Sequence, residues 1–184
     1  MGYELMVTLV PLADVERVRG SGDEILVHDA CTARGQKCAP ELAYAIGRIV
    51  DGTATDRARA SQYGYAMQRI CQALGEDLDN GPFYPSSLDA LEAFDAVLKE
   101  RGVRFATSWL ALDGSLFGLP EPDDFPMCGK IGPEALARVE IDPEAAPPGP
   151  HEAAWRAVAG WVARARERAA EDPEGRWALV GFWY

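Results

Sequence analysis

The hydrophobic pattern at the two ends of the chain is that of β-strands. Residues 2–11 alternate between two faces, with Tyr3, Leu5, Val7 and Leu9 on one face and Glu4, Met6, Thr8 and Val10 on the other. Both faces are largely apolar, so we expect a strand in the interior of a sheet, ended by Pro11. Residues 177–183 form a second apolar run, which predicts a closing strand. We expect these two terminal strands to pair.

Between the two ends, apolar residues recur at steps of three and four, which predicts helices. The clearest helix follows the capping-box sequence Ser86-Ser87-Leu88-Asp89 and ends at Gly102. Asp23 and Pro40 are typical of the first positions of two earlier helices. The predicted helices cover residues 12–19, 24–34, 40–51, 57–74, 88–101, 133–139 and 150–172.

The pattern changes after Gly102. Asp113-Gly114 separates two apolar runs, 109–112 and 116–119, and the residues before it alternate, namely Val103, Phe105, Thr107 and Trp109. Asp-Gly in this setting predicts a β-hairpin, because both turn residues need positive φ. A helix over residues 105–112 is the alternative. Residues 120–133 contain too many prolines for a helix.

These elements predict an α+β fold, with a small antiparallel or mixed sheet that includes both terminal strands and is covered by about five to seven helices. The chain has 184 residues, which fits one domain over residues 1–184. The Pro-rich connector at 142–150 is too short to separate two domains.

The charge of the chain limits its partners. Asp and Glu number 29 against 18 Lys and Arg, which gives a formal net charge of −11. Nucleic acids and anionic membranes bind clustered Lys and Arg, and the densest basic stretch, residues 164–168, has the pattern of a solvated helix face. We therefore expect neither as a partner, whereas a basic protein suits the charge.

No targeting segment or membrane span is evident from the sequence. The start lacks a basic region followed by a long apolar one, and no apolar run approaches the length of a transmembrane helix. The cytoplasm is the expected location, where Cys31, Cys38, Cys71 and Cys128 would be free thiols.

Several segments resemble an uncharacterised family of actinobacterial proteins with no assigned function. The residues that carry the resemblance are Tyr63-Gly64-Tyr65-Ala66, Cys71, Leu74-Gly75, the helix from Leu88 to Gly102, Leu119-Pro120-Glu121-Pro122-Asp123-Asp124-Phe125-Pro126, and Leu179-Val180-Gly181-Phe182-Trp183. A more distant similarity is to YfbM-like proteins, and it is carried by Ile131-Gly132-Pro133-Glu134 and by the order of the elements. Neither resemblance implies a reaction.

The nearest approach to a metal site is His28, Cys31 and Cys38. Imidazole and thiolate are good zinc ligands, and His28 and Cys31 lie on one face of a predicted helix. A structural zinc site needs four ligands, usually in paired Cys knuckles, and the chain has no such pair. The alternative is that the cysteines are small core residues. We predict neither a metal nor another cofactor.

A nucleophilic cysteine needs a base, and His28 and His151 are the only histidines. Cys71 lies in an apolar stripe and is expected to be inert. Cys128 stands beside Gly129 in a Pro-rich segment, so it is the thiol with the best claim to exposure. No complete catalytic set is visible around either histidine.

Two loops place acidic and aromatic residues outside the regular elements. The carboxylates Asp113, Glu121, Asp123 and Asp124 can hold Mg²⁺ or Ca²⁺, but adjacent Asp residues in a turn more often cap backbone amides. Aromatic residues on rigid loops can anchor a protein partner or cover a core. The candidate binding residues are Phe83, Tyr84, Asp123, Asp124 and Phe125.

The acidic charge and the incomplete catalytic sets favour a non-catalytic binding or regulatory protein that recognises a basic partner through these two loops. The alternative is a small, hydrolase-like enzyme that uses carboxylates or His and Cys, with or without a metal.

Overall fold

The computed structural model describes residues 3–35, 37–112 and 116–184. Within this part, the chain forms four β-strands and eight α-helices. In chain order they are β1 Leu5–Pro11, α1 Leu12–Val18, α2 Glu24–Thr32, α3 Pro40–Val50, α4 Ala60–Leu74, β2 Glu76–Asp77, α5 Leu88–Glu100, α6 Trp109–Leu112, β3 Met127–Ile131, α7 Pro133–Leu136, α8 Glu152–Glu171 and β4 Trp177–Trp183.

The strands form one antiparallel sheet in the order β2-β1-β4-β3. The terminal strands β1 and β4 occupy its centre and pair along their whole length, from Leu5 opposite Trp183 to Pro11 opposite Trp177. β3 pairs with the other side of β4, and the short β2 pairs with β1. The predicted α+β fold, with both terminal strands in one sheet, is confirmed.

Helices cover both faces of this sheet, so the protein has three layers and two cores. On one face, Leu5, Val7 and Leu9 pack with residues of α5 and α8. On the other face, Val10 and Phe182 pack with residues of α1 to α4. Because side chains alternate along a strand, the two apolar faces of β1 serve the two cores, as the sequence pattern predicts.

Local capping signals mark several helix ends. The side chain of Asp23 accepts hydrogen bonds from the amides of Ile25 and Leu26 at the start of α2. The Ser87 hydroxyl accepts one from the amide of Ala90 at the start of α5. Pro40 is the first residue of α3. These helix starts are confirmed where the sequence predicts them.

The predicted hairpin after Gly102 is wrong. Residues 103–106 are irregular, and Trp109–Leu112 is the short helix α6, in agreement with the alternative for the end of this segment. The carboxylate of Asp95 in α5 accepts hydrogen bonds from the amides of Thr107 and Ser108, which directs the chain into a helical turn instead of a strand. Asp113 and Gly114 lie outside the described residues.

The third long strand is β3, in the Pro-rich segment for which the sequence predicts only the absence of a helix. In β3, Gly129 pairs with Gly181 of β4, and α6 packs against these two strands. Leu110 belongs to the core on one face of the sheet and Leu116 to the core on the other.

In the part of the chain that the structure describes, no helix is both long enough and apolar enough to cross a membrane.

Candidate functional site

The two predicted binding loops meet at one end of the sheet, on either side of Tyr3. The ring of Tyr3 stacks on that of Phe125, with centroids 5.2 Å apart and an angle of 26° between the planes. It also contacts Trp183 at 4.8 Å, and Phe125 contacts Trp183 at 5.4 Å. The segments just before β1 and just before β3 therefore share one aromatic cluster with the end of β4.

The other loop reaches the same place through the backbone of Tyr3. The amide of Ser86 donates a hydrogen bond of 2.8 Å to the carbonyl oxygen of Tyr3, and the two residues form an isolated β-bridge. Tyr84, two residues earlier, has a side chain that is 61% exposed, and Tyr3 is 42% exposed. Two large tyrosine side chains are thus exposed here, Tyr3 in contact with Phe125 and Tyr84 two residues before the bridge to Tyr3.

The sequence predicts that Phe83 contacts a partner, but the structure places its side chain in the core. Its side chain is only 3% exposed and packs against the rings of Phe94 and Trp161. The short 3₁₀ helix Gly81–Phe83 turns this ring into the core, while the next residue, Tyr84, faces outward. We therefore leave Phe83 out of the candidate surface.

Asp123 and Asp124 bring negative charge to this end of the sheet. Both are exposed, and within the described residues neither takes part in a salt bridge. Partial burial, and in second place the charge of Asp124, raise the pKa of Tyr65 above its usual value. Tyr65 therefore lies near Asp124, and its ring contacts that of Tyr184 at 5.9 Å.

Close packing positions the acidic loop on α4. A Cβ atom at Gly64 would lie 2.7 Å from Cγ of Pro126 and 3.7 Å from Cγ of Pro122, so only glycine allows the loop to approach this closely. Gln68 of the same helix donates a hydrogen bond of 3.2 Å to the Tyr184 hydroxyl, which ties the end of the chain to α4.

We call the resulting feature the sheet-end surface and define it as Tyr3, Tyr65, Tyr84, Asp123, Asp124 and Phe125. Sequence reasoning identified four of these residues and missed Tyr3 and Tyr65. Tyr3 belongs to a strand pattern and Tyr65 to a helix pattern, so no local signal sets them apart. Only the sheet register and the packing of α4 bring them to the candidate loops.

The residues of the zinc hypothesis are only partly brought together. Cys31 and Cys38 are neighbours in space, because the Cys38 amide donates a 2.9 Å hydrogen bond to the Cys31 carbonyl oxygen. Burial and, next, the neighbouring Cys38 raise the pKa of the Cys31 thiol to about 11. His28 is exposed on α2.

Nothing in the described part of the chain completes a metal site. No group of three or more His, Cys, Asp and Glu side chains that could hold a metal ion occurs there, either at Cys31 and Cys38 or at Glu121, Asp123 and Asp124. Asp113 lies outside the described residues.

The other two cysteines are buried. Cys71 has no exposed surface, and burial is the main cause that raises its thiol pKa. Cys128, which the sequence marks as the most exposed thiol, lies in β3 with its side chain in the core beneath α4, so the expectation of exposure is wrong. The Pro-rich sequence around Cys128 gives no local signal of the strand β3.

A separate cleft of about 980 Å³ lies between the end of α5 and the start of α8. It is lined by His151 and by several carboxylates and arginines. These residues are far apart in the sequence, so no local pattern groups them into one site. The His151 ring stacks on Phe94, with centroids 5.8 Å apart. The lining residues of this cleft are Val97, Glu100, Arg101, Val103, Glu140, Ile141, Asp142, Ala145, Pro147, His151, Trp155 and Arg166.

Several polar groups of this cleft hold the fold together. Arg101 donates a hydrogen bond to the Ala145 carbonyl oxygen. Arg166 donates one to the Val139 carbonyl oxygen, and the Trp155 indole donates one to the carbonyl oxygen of Asp142. Among the described residues, no Ser, Thr, Cys or Lys lines the cleft, so this lining offers no such nucleophile beside His151.

The fold and the site define an α+β protein in which helices cover both faces of a four-stranded antiparallel sheet, with an aromatic and acidic surface at one end of that sheet. The chain belongs to the family of the domain of unknown function DUF7691, whose model matches residues 1–184. This membership agrees with the resemblance to an uncharacterised family. No curated protein and no solved structure matches the chain.

Proposed function

We propose that the chain is one cytoplasmic domain that acts as a non-catalytic binding or regulatory protein and recognises a basic protein segment through the sheet-end surface. The observation that carries this proposal is the stacking of Tyr3 on Phe125, which unites two loops into one surface. An actinobacterial origin and a distant relation to YfbM-like proteins remain predictions of the sequence.

The chemistry of the sheet-end surface suits such a partner. Tyrosine side chains have few rotatable bonds and provide a large contact area, which is why they are common in the energetically important centre of interfaces. Their ring faces also attract Lys and Arg side chains. Asp123 and Asp124 supply carboxylates without a salt-bridge partner among the described residues, so binding a basic segment would break no such bridge.

The overall charge favours the same partner. A formal net charge of −11 attracts cationic segments from a distance and repels anionic ones. Association should therefore slow and weaken as the salt concentration rises, because salt screens charges at the rim of an interface.

The alternative function is that of a small enzyme, and the cleft beside His151 is the feature that favours it. His151 and carboxylates such as Glu140 line the same space, which is a requirement of acid–base catalysis. We prefer the binding function because Arg101, Arg166 and Trp155 already donate hydrogen bonds to the backbone there.

The proposal is tested with an array of synthetic Lys- and Arg-rich peptides, paired with versions in which Gln replaces every basic residue. We expect wild-type protein to bind basic peptides and to lose this binding in high salt. Tyr84→Ala and the double variant Asp123→Asn/Asp124→Asn should each weaken binding about 3- to 10-fold, the size typical of one interface anchor or of rim charges.

A matched control is the double variant Asp51→Asn/Glu174→Gln. These two carboxylates are also exposed and take part in no salt bridge among the described residues, so the control changes the net charge equally without touching the sheet-end surface. If the two double variants bound basic peptides equally well, the sheet-end surface would not be the binding site. Failure of wild-type protein to bind basic peptides in low salt, together with failure to retain a specific protein from an extract of its own organism, would reject the function.

A further inference from the structure

The turn that follows α2 brings two thiols together. Cys31 is in the last turn of α2, and Cys38 lies just before α3, after a 3₁₀ turn over Ala33–Gly35. The backbone hydrogen bond of 2.9 Å from the Cys38 amide to the Cys31 carbonyl oxygen holds the two residues side by side. The Cys38 side chain also raises the pKa of the Cys31 thiol, so the two side chains are neighbours. Both residues are half-buried, so the pair borders on solvent.

This arrangement satisfies the main geometric demand of a disulfide. A disulfide needs Cα atoms about 4.4–6.8 Å apart and sulfur atoms that face each other. Two residues joined by a direct backbone hydrogen bond have neighbouring Cα atoms, and the effect of Cys38 on the pKa of the Cys31 thiol shows that their side chains are close, so this pair suits a disulfide.

We propose that Cys31 and Cys38 are a redox-active dithiol, which exchanges with small-molecule disulfides such as oxidised glutathione to form a reversible intramolecular disulfide. In the first step, the Cys38 thiolate attacks the small disulfide, forms a mixed disulfide and releases one thiolate. In the second step, the Cys31 sulfur attacks the Cys38 sulfur and releases the second small thiolate. The two protein thiols lose two protons and two electrons, and the small disulfide gains them as two thiols.

The order of the steps follows from the raised pKa of Cys31. Burial and the neighbouring Cys38 raise the pKa of the Cys31 thiol to about 11, which disfavours its thiolate. Cys38 is therefore the sulfur that attacks first. Reactivity belongs to the thiolate, and Cys31 is held in the thiol form.

The first step prepares the second. Burial is the largest cause of the raised pKa of Cys31, and Cys38 supplies the next two, a hydrogen bond and a charge. The Cys38 sulfur of a mixed disulfide carries no charge, so the effect of a Cys38 thiolate on Cys31 disappears, while Arg69 continues to favour the Cys31 thiolate. Once Cys38 has reacted, Cys31 loses its proton more readily and can complete the disulfide.

The second pair of cysteines provides an internal contrast. Cys71 and Cys128 are both in the core and are protected from a dissolved oxidant by α4 and the sheet. Burial raises the pKa of the Cys71 thiol, which suppresses its thiolate further. Oxidation should therefore be selective for the pair after α2, although the chain contains four cysteines.

The experiment treats the folded wild-type protein with a glutathione buffer of increasing oxidised fraction, then traps the remaining thiols with an alkylating agent. We expect the intact mass to fall by two hydrogen atoms and a peptide linked through Cys31 and Cys38 to appear on non-reducing digestion. Reduction should restore both thiols. Cys31→Ser should accumulate the mixed disulfide at Cys38, whereas Cys38→Ser should react much more slowly.

A second measurement does not depend on oxidation or on the serine variants. Phenylarsine oxide, a trivalent arsenical, binds two thiols only when they are adjacent, so reduced wild-type protein should bind it in a one-to-one ratio and then resist oxidation. A protein that stays reduced throughout the buffer series, that stops at a mixed disulfide, or that links Cys71 to Cys128 instead would overturn the proposal. Failure to bind the arsenical would overturn it too.

Discussion

The carbonyl group of Leu110 occupies the space that a side chain at position 181 would need. A Cβ atom on Gly181 would lie 2.3 Å from the Leu110 carbonyl oxygen and 2.4 Å from the Leu110 Cβ. Helix α6 therefore lies directly on the central strand β4, at the place where Gly181 pairs with Gly129 of β3. The packing of one core against the sheet depends on a glycine there.

Gly181→Ala should destabilise the protein by about 1–3 kcal/mol, because α6 and β4 must move apart to admit the methyl group. Chemical denaturation monitored by tryptophan fluorescence measures this loss. The control is Gly160→Ala in α8, where a Cβ meets no atom within 4 Å. Replacing a helical glycine by alanine should stabilise the protein by about 0.5–1 kcal/mol. Equal unfolding midpoints for the two variants would contradict the packing described.

Asp95→Ala should also destabilise the protein by about 1–3 kcal/mol, because it removes the acceptor of several hydrogen bonds at once. The Asp95 carboxylate accepts from the Thr107 amide, the Thr107 hydroxyl and the Ser108 amide, at 2.5, 2.7 and 3.0 Å. Amide hydrogen exchange of Thr107 and Ser108 should accelerate with the loss of stability. Glu92→Ala, on the same helix but exposed, should change the free energy of unfolding by less than about 0.5 kcal/mol.

Phe83 and Tyr84 should respond very differently to alanine, although they are neighbours. Phe83→Ala removes a buried ring and should cost about 3–5 kcal/mol of stability. Tyr84→Ala removes a side chain that is 61% exposed and should cost less than about 0.5 kcal/mol. Thermal unfolding of the two variants measures the difference. A comparable loss in both would show that Tyr84 is not a free surface residue.

Glu76 should make the stability of the protein depend on pH in the acidic range. Arg164 donates paired hydrogen bonds to the Glu76 carboxylate and, as the largest cause, lowers its pKa in the folded state; Arg168 acts in the same direction. A lowered pKa means that this stabilisation is complete above the ordinary pKa of a glutamate and is lost as the pH falls through the lowered value.

Glu76→Gln should therefore reduce the free energy of unfolding at neutral pH, and the difference from wild type should vanish in acid. The side chain of Glu76 is 36% exposed, so solvent screening limits the effect to about 0.5–1 kcal/mol. Denaturation curves at a series of pH values test this. Glu171→Gln, which removes a more exposed partner of Arg168, should have the smaller effect at every pH. If the difference in stability between wild type and Glu76→Gln grew as the pH fell, the lowered pKa of Glu76 would be contradicted.

Much of the helical structure and both terminal strands could be predicted, because their signals are local. Asp23, Ser87 and Pro40 mark helix starts that the structure contains, and the alternation in residues 2–11 corresponds to β1. In each case, neighbours in the sequence supply the pattern of side chains and the capping group, so the rest of the molecule adds stability without changing the element.

The candidate sites were much harder to predict than the helices and strands, because they depend on the tertiary structure. The predicted loops share a surface only because Tyr3, at the start of the sheet, stacks on Phe125 and pairs with Ser86. Cys31 and Cys38 adjoin because the chain turns back after α2, and their spacing alone indicates neither a disulfide nor a metal site.

The sequence by itself determined the α+β class, the two terminal strands, the main helices and the acidic charge of this protein. Only the tertiary structure decided that residues 127–131 form a strand, that residues 109–112 form a helix, and that Phe83 and Cys128 are buried. The physical reason is that these features depend on contacts between distant segments. β3 depends on its pairing with β4, and α6 depends on Asp95 and on the absence of a side chain at Gly181.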